Sequence, residues 1–580
     1  MRPRVVAGAG TAVALVAALG ACTENSGEGA TVDTGRQHTG VIATDPRDSA
    51  GPAPEVPGAQ AGGTFTIIRE TPIAHLDPQR TYSFVGLMAT PLFARFLTTW
   101  KDDGKGNLVL VGDLAETPGT DVDDDCRVWE FKIKDGVKFE DGRPITAREI
   151  GYGIARSFDP DLAGGPTYLQ EWLADTPQYD TAWDFRANRN TLPPGLTTPD
   201  ERTLRFEFAR PRCDLPFAVS LPSTAPLPPD RDTGLNLGNA PFSSGPYKVT
   251  RYQAGVEVVL ERNEHWDAAT DPVRHQYPDR FVWTFGPTPD AAANRVIADN
   301  GADQRALSWN YVPASLVARV AGDPGLRSRT ILSPTPSANH LIINNRRVTD
   351  LRVRRALNYA VDREGLIKVL GGPNVAAPMT TLMPPATIGF QAYDAYPAGP
   401  NGDPEKAREL LAGQTPELVL GAADNSVEQQ VVTQLKGNLE RAGFKITVRN
   451  IPVGAKFDEI KKRDNPWDLY LSSWAADWPS GASILPVLYD GRGIRAAGNS
   501  NEAYFHHPAV DAEFDRILAL PPGAQGPEWA RLDERIMREH APVVPLYVDV
   551  AYLVHGSKVG GVFVSSVFGH PSLVNAHVRP

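Results

Sequence analysis

Trp467-Asp-Leu-Tyr-Leu-Ser-Ser-Trp-Ala-Ala-Asp-Trp478 is the stretch on which the reading of this chain turns. Its first half, residues 467–473, is a short apolar run of the kind that suits a pleated, buried surface, and reads as a strand. Its second half leaves through Trp474 and Ala475 and ends on Asp477, a carboxylate between two indoles. Burying such an acid is costly unless something positive meets it. An acid after a strand either caps the turn or meets a ligand, and the segments before it bear on the choice. Residues 417–421 read as a strand. Residues 426–442 read as a helix, with Ser426 as N-cap, Gln429 closing a capping box, and Val432, Leu435 and Leu439 on one face. Residues 444–448 read as a second strand, and Phe457 and Ile460 mark a short helix before the third. Strand–helix–strand–helix–strand with short links predicts a parallel sheet. Ligands of such sheets bind beyond the carboxyl ends of the strands, where Asp477 stands, and this favours the ligand reading.

The chain begins with a basic head, Arg2 and Arg4, and an apolar run over residues 5–19 that is shorter than the roughly 20 residues a membrane span needs. It ends in Leu19-Gly20-Ala21-Cys22, which resembles the lipobox of bacterial lipoproteins. That resemblance implies a signal peptide over 1–21, a lipidated Cys22, and an exported chain held to the outer face of the cell membrane. Residues 22–62 are rich in Gly, Pro, Thr and Ala and read as a flexible tether. About 520 residues follow, enough for two or three domains. The net charge of −11 argues against nucleic acid as a partner.

Of three cysteines, Cys126 precedes an alternating strand with Trp129, Phe131 and Ile133 inward, and Cys213 follows one with Leu204, Phe206 and Phe208 inward. If these strands pair antiparallel, both thiols fall at one end of the ladder. In an exported protein that suggests a disulfide, with two buried free thiols as the alternative. Residues 129–150 place tight turns at Asp135-Gly136 and Asp141-Gly142. Thr146 then caps a helix with Glu149 closing the box and Ile150 and Ile154 buried. The cluster Arg352-Val-Arg-Arg355 reads as the solvated face of a helix.

Residues 129–150 resemble the same region of the family 5 extracellular solute-binding proteins, the peptide-binding components of ABC importers. Further matches follow in order: His75-Leu-Asp-Pro78, Ser243-Ser-Gly-Pro-Tyr-Lys-Val249, Ile342-Ile-Asn-Asn345, Asp350-Leu-Arg-Val-Arg-Arg-Ala-Leu-Asn-Tyr-Ala-Val-Asp-Arg363, Asp403-Pro-Glu-Lys-Ala-Arg-Glu-Leu-Leu411 and Ala541-Pro-Val-Val-Pro-Leu546. The resemblance implies an α/β, two-lobed, periplasmic-binding-protein-like clamp of mixed sheets and flanking helices. Lobe I would comprise 63–95, 203–337 and 536–580, with a subdomain inserted at 96–202, and lobe II 338–535. It implies a monomer that captures peptides between the lobes and delivers them to a membrane-embedded ABC permease. Trp474-Ala-Ala-Asp477 matches the family's Trp-x-x-Asp element, whose acid pairs with a peptide's ammonium group. Trp474 and Trp478 add apolar and cation–π contact, and Tyr82 and Ser83 are weaker candidates from lobe I. Leu471 stands where some members carry a basic residue for the peptide carboxylate. A nickel-complex or oligosaccharide binder is the alternative within the family, and a secreted glycosidase the alternative outside it. No nucleophile elbow, His-Glu-x-x-His or phosphate loop occurs, so the reading is not an enzyme and assigns no catalytic residue, metal or cofactor.

Overall fold

The computed structural model describes residues 39–580 apart from 104, 106 and 454. The expected signal peptide, Cys22 and the tether up to residue 38 lie outside the described residues.

Two long strands organise the fold. Thr330–Ile343 and Val543–His555 run antiparallel, pairing Thr330 with Val554 at one end and Ile342 with Val543 at the other. Their register shifts between Pro334 and Ala338 and again between Asn339 and His340. Pro334 and Pro336 have no amide proton to give a ladder, so pairing lapses in the middle of the pair.

Strands add on both sides, making one mixed sheet of eleven. On one side Leu469–Ala475 pairs antiparallel with Thr330–Ile343, followed by Glu417–Ala423 and Lys445–Ile451 in parallel. On the other side Ala306–Ser308 pairs antiparallel with Val543–His555. Thr64–Arg69 and Arg280–Phe285 then join in parallel, and Glu257–Arg262 and Tyr247–Gln253 antiparallel. Leu469–Ala475 ends with Ala475 opposite Ser337, while Ala306–Ser308 leads to Val312, which donates to Tyr552 O at 2.7 Å. The parallel strands of both half-sheets thus aim their carboxyl ends at the proline-interrupted middle of the long pair.

The α/β alternation expected over 417–475 is present. The helix Ser426–Arg441 buries Val432, Leu435 and Leu439 against Leu418, Leu420 and Ile446, each worth about 1.5–3 kcal/mol when fully buried. Its cap differs from the expected Ser426. Asn425 is extended, its side chain accepting from Glu428 N at 2.9 Å, and Gln429 donates to Ala423 O at 2.7 Å instead of closing a box. Asparagine caps as well as serine does, and one residue earlier it meets the backbone first.

In a separate sheet of four strands, Val128–Lys132 and Thr203–Glu207 pair antiparallel, burying Trp129, Phe131, Leu204 and Phe206. Cys126 and Cys213 are disulfide-bonded, with Cα atoms 4.8 Å apart. Gly136 and Gly142 have φ of 79° and 85°, and Thr146 caps Ala147–Arg156 in a capping box with Glu149.

Two expectations need correction. From Thr39 the segment read as tether is built into the body: Thr39–Ile42 pairs in parallel with Asn107–Gly112, and Ser49 Oγ, fully buried, accepts from Gly112 N at 2.8 Å. Arg354, expected on a solvated face, is buried. Its guanidinium donates to the carbonyls of Val348, Thr349 and His540, which satisfies the charge without an acid.

Candidate functional site

Asp477 lies two residues past Leu469–Ala475, at the converging strand ends, and is 8% exposed. Its loop is fixed locally. Ser483 Oγ donates to Trp478 O at 2.8 Å, and Trp474 Nε1 donates to Ser483 O at 2.9 Å. The two carboxylate oxygens accept from residues far away in the chain. The Tyr82 hydroxyl donates to Oδ1 at 2.6 Å, and the Tyr168 hydroxyl to Oδ2. Tyr82 lies just before the helix Phe84–Phe93, and Tyr168 opens the helix Tyr168–Ala174. Tyr82 keeps 38% of its surface exposed while turning its hydroxyl inward.

Burial raises the Asp477 carboxyl to about 6, against the opposing pull of the two hydroxyls. Burial, and then the Asp477 charge, push the Tyr82 hydroxyl well above its ordinary value; burial and Asp477 act on Tyr168 likewise, so both remain donors. Among the described residues no cation pairs with Asp477. A carboxylate offers about four acceptor positions, and two are used. The arrangement is an enclosed acid with capacity left for a charged donor.

Trp478 anchors the same loop. Its ring meets that of Tyr168 edge-on at 4.7 Å, and its Nε1 donates to Asp214 Oδ2 at 3.3 Å. Asp214 also accepts from Gln525 Nε2 at 3.0 Å, and Gln525 Oε1 accepts from Trp529 Nε1 at 3.0 Å. Burial lifts Asp214 to about 7.

Of the residues singled out in the sequence, the structure brings Asp477, Tyr82 and Trp478 together. Ala475 closes the strand ladder opposite Ser337, and Trp474 packs on the sheet face that carries Ile342 and Tyr470. Ser83 is a helix cap, its Oγ accepting from Gly86 N at 3.3 Å. Sequence reasoning missed Tyr168, Asp214 and Gln525. Tyr168 follows an aperiodic loop and carries no signal. Asp214 sits beside Cys213, but nothing local announces a partner 264 positions away. Among the described residues no cluster of His, Cys, Asp and Glu could hold a metal, and no helix is long and apolar enough to cross a membrane.

The family model described as "Bacterial extracellular solute-binding proteins, family 5 Middle" matches residues 109–495. The solved structure of the clavulanic acid biosynthesis oligopeptide binding protein 2 is similar with a TM-score of 0.84 and 30% identity, covering 95% of this chain and 99% of the other. The glutathione-binding protein GsiB of Salmonella typhi is 23% identical over 462 residues, covering 78% of this chain and 83% of the relative. The murein tripeptide binding protein MppA of Escherichia coli shares the two-lobed fold, with a TM-score of 0.71 at 19% identity over 90% of this chain and 100% of that one. The chain belongs to the bacterial extracellular solute-binding proteins of family 5.

Proposed function

We propose that the protein captures peptides between its lobes and delivers them to the permease of an ABC importer, with Asp477 receiving the peptide's ammonium group. One observation carries the reading: Asp477 is enclosed at the converging strand ends, holds two hydroxyl donors and has no cationic partner among the described residues. An ammonium group supplies the missing charge and occupies the spare acceptor positions. Trp478 holds the acid's loop, and Tyr82 and Tyr168 bring the opposite side of the cleft onto the same carboxylate. The names of the relatives support this class of solute: an oligopeptide, a murein tripeptide and glutathione, which itself bears a free ammonium group. These relatives are solute-binding proteins rather than enzymes. A lipid on Cys22 would hold the receptor at the outer face of the membrane, near the permease.

Calorimetry with tri-alanine, glutathione and their N-acetylated forms tests the reading. Acetylation removes the cation and is expected to weaken binding by about 30-fold or more, the 2 kcal/mol or more lost when a buried charge pair is broken. Equal affinity for free and acetylated peptides would exclude it, and heat only from a nickel complex or an oligosaccharide would assign the solute to another class.

A further inference from the structure

A second recess lies on the sheet face that carries Trp474. It is lined by His340, Ser472, Ser473, Trp474, Tyr489 and Glu502 among others, with a cavity volume of about 20 Å³, room for about one water. His340 and Ser472 stand opposite each other on neighbouring strands and therefore face the same way. His340 is 2% exposed, and its Nε2 has no hydrogen-bond partner. Burial lowers the ring to about 4 against the opposing pull of the Thr381 backbone, so the imidazole is neutral and can present a lone pair at Nε2.

Glu502 is 9% exposed and has no ion pair among the described residues; burial raises its carboxyl against the opposing pull of Ser472 and, more weakly, of Lys461 and Lys456. Its backbone is held in place: the Tyr470 hydroxyl donates to Glu502 O at 2.5 Å, and Asn501 Nδ2 donates to Phe505 O at 2.8 Å. A buried carboxylate, a buried lone pair and an indole thus border one small space. A second carboxylate is repelled there, and an apolar group leaves both acceptors unmet. A cation with several N–H donors satisfies all three walls, since a guanidinium also stacks on tryptophan.

We propose that this recess is a subsite for a cationic side chain of the ligand, a guanidinium or an alkylammonium group. The proposal rests on the peptide reading of Asp477 and deepens it. Trp474 and Asp477 are three residues apart, at most about 10 Å along the chain, which suits a long side chain near the amino end of a peptide anchored at Asp477. A guanidinium needs more than the present volume of about 20 Å³, so the proposal requires the recess to widen when such a ligand enters.

Calorimetry on the full chain with Arg-Ala-Ala and Ala-Arg-Ala, each against a twin in which citrulline replaces arginine, tests this. Citrulline keeps the shape and removes the charge. The expected result is that at least one arginine peptide binds about tenfold or more tighter than its twin, as a charge-assisted hydrogen bond warrants. Glu502→Gln is expected to abolish that preference while leaving the citrulline peptides unchanged. Equal binding within both pairs overturns the proposal without any variant being needed, and so does a preference that survives Glu502→Gln. Asp477→Asn separates the two levels, because it is expected to weaken arginine and citrulline peptides alike. If no peptide binds the unaltered protein, the peptide reading fails and this subsite fails with it.

Discussion

Asp477 carries two hydroxyl donors and a carboxyl raised to about 6 by burial, so its charge state changes within an accessible pH range. Below about 6 the empty site is protonated and has no charge for an ammonium group. A peptide's own amino group loses its proton near 8. The affinity for a simple peptide is therefore expected to rise from pH 5 to about 7 and to fall again above about 8, with an acid limb approaching tenfold per pH unit. Asp477→Asn should bind weakly and lack the acid limb, which titration calorimetry at stepped pH would check; an unchanged acid limb in that variant would assign it to another group. The position of this acid was legible in the sequence, because a residue just past a parallel strand's carboxyl end has a known geometric consequence. Its partners were not legible. Tyr168 lies 309 positions away, and Ser83, adjacent to a true partner, only caps a helix. Nor did Glu502 or His340 stand out, because a buried acid and an unpaired ring nitrogen are properties of packing.

At the scale of elements, periodicity made the second half-sheet readable. The apolar spacing of Val432, Leu435 and Leu439 and the alternation of the strand at 128–132 arise from local sequence, and local sequence determines them. Edges and non-local pairings were harder. Thr39–Ile42 has no apolar pattern to distinguish it from a linker, and becomes a strand because Asn107–Gly112 offers it a free edge. The helix cap was misplaced by one residue because Asn425 and Ser426 are both competent, and the choice falls to backbone geometry. This yields a paired prediction. Asn425→Ala is expected to lower the unfolding free energy by about 1 kcal/mol, the usual cost of a lost cap, whereas Ser426→Ala should change it by a few tenths at most. Denaturant titration of the two variants checks it, and the reverse order would return the cap to Ser426.

At the scale of the molecule, segments far apart in the sequence meet at two buried acids, which the proposed two-lobed clamp would enclose on closing. Asp477 receives Tyr82 and Tyr168, and Asp214 receives Trp478 and Gln525; burial raises the two carboxyls to about 6 and about 7. Opening the lobes returns each to water and toward the ordinary aspartate value near 3.9. The closed form therefore binds more protons than the open one, and closure becomes less favourable as pH rises. The cost is absent below about pH 4, grows between about 4 and 7, and is complete above that. A shift of about two units is worth about 3 kcal/mol, enough to reverse a two-state balance. The long strands that join the halves lose their pairing around Pro334 and Pro336, which leaves a place for the movement. Small-angle scattering of the unliganded protein is accordingly expected to give a smaller radius of gyration at pH 4.5 than at pH 8. A bound peptide should restore the compact value at pH 8, because its ammonium group neutralises Asp477 as a proton does. Asp477→Asn, uncharged at every pH, should stay more compact than the unaltered protein at pH 8 without a peptide. Identical radii at the two pH values would mean that these acids do not govern closure, and the seam would then have to be held by the apolar contacts around Trp478 alone.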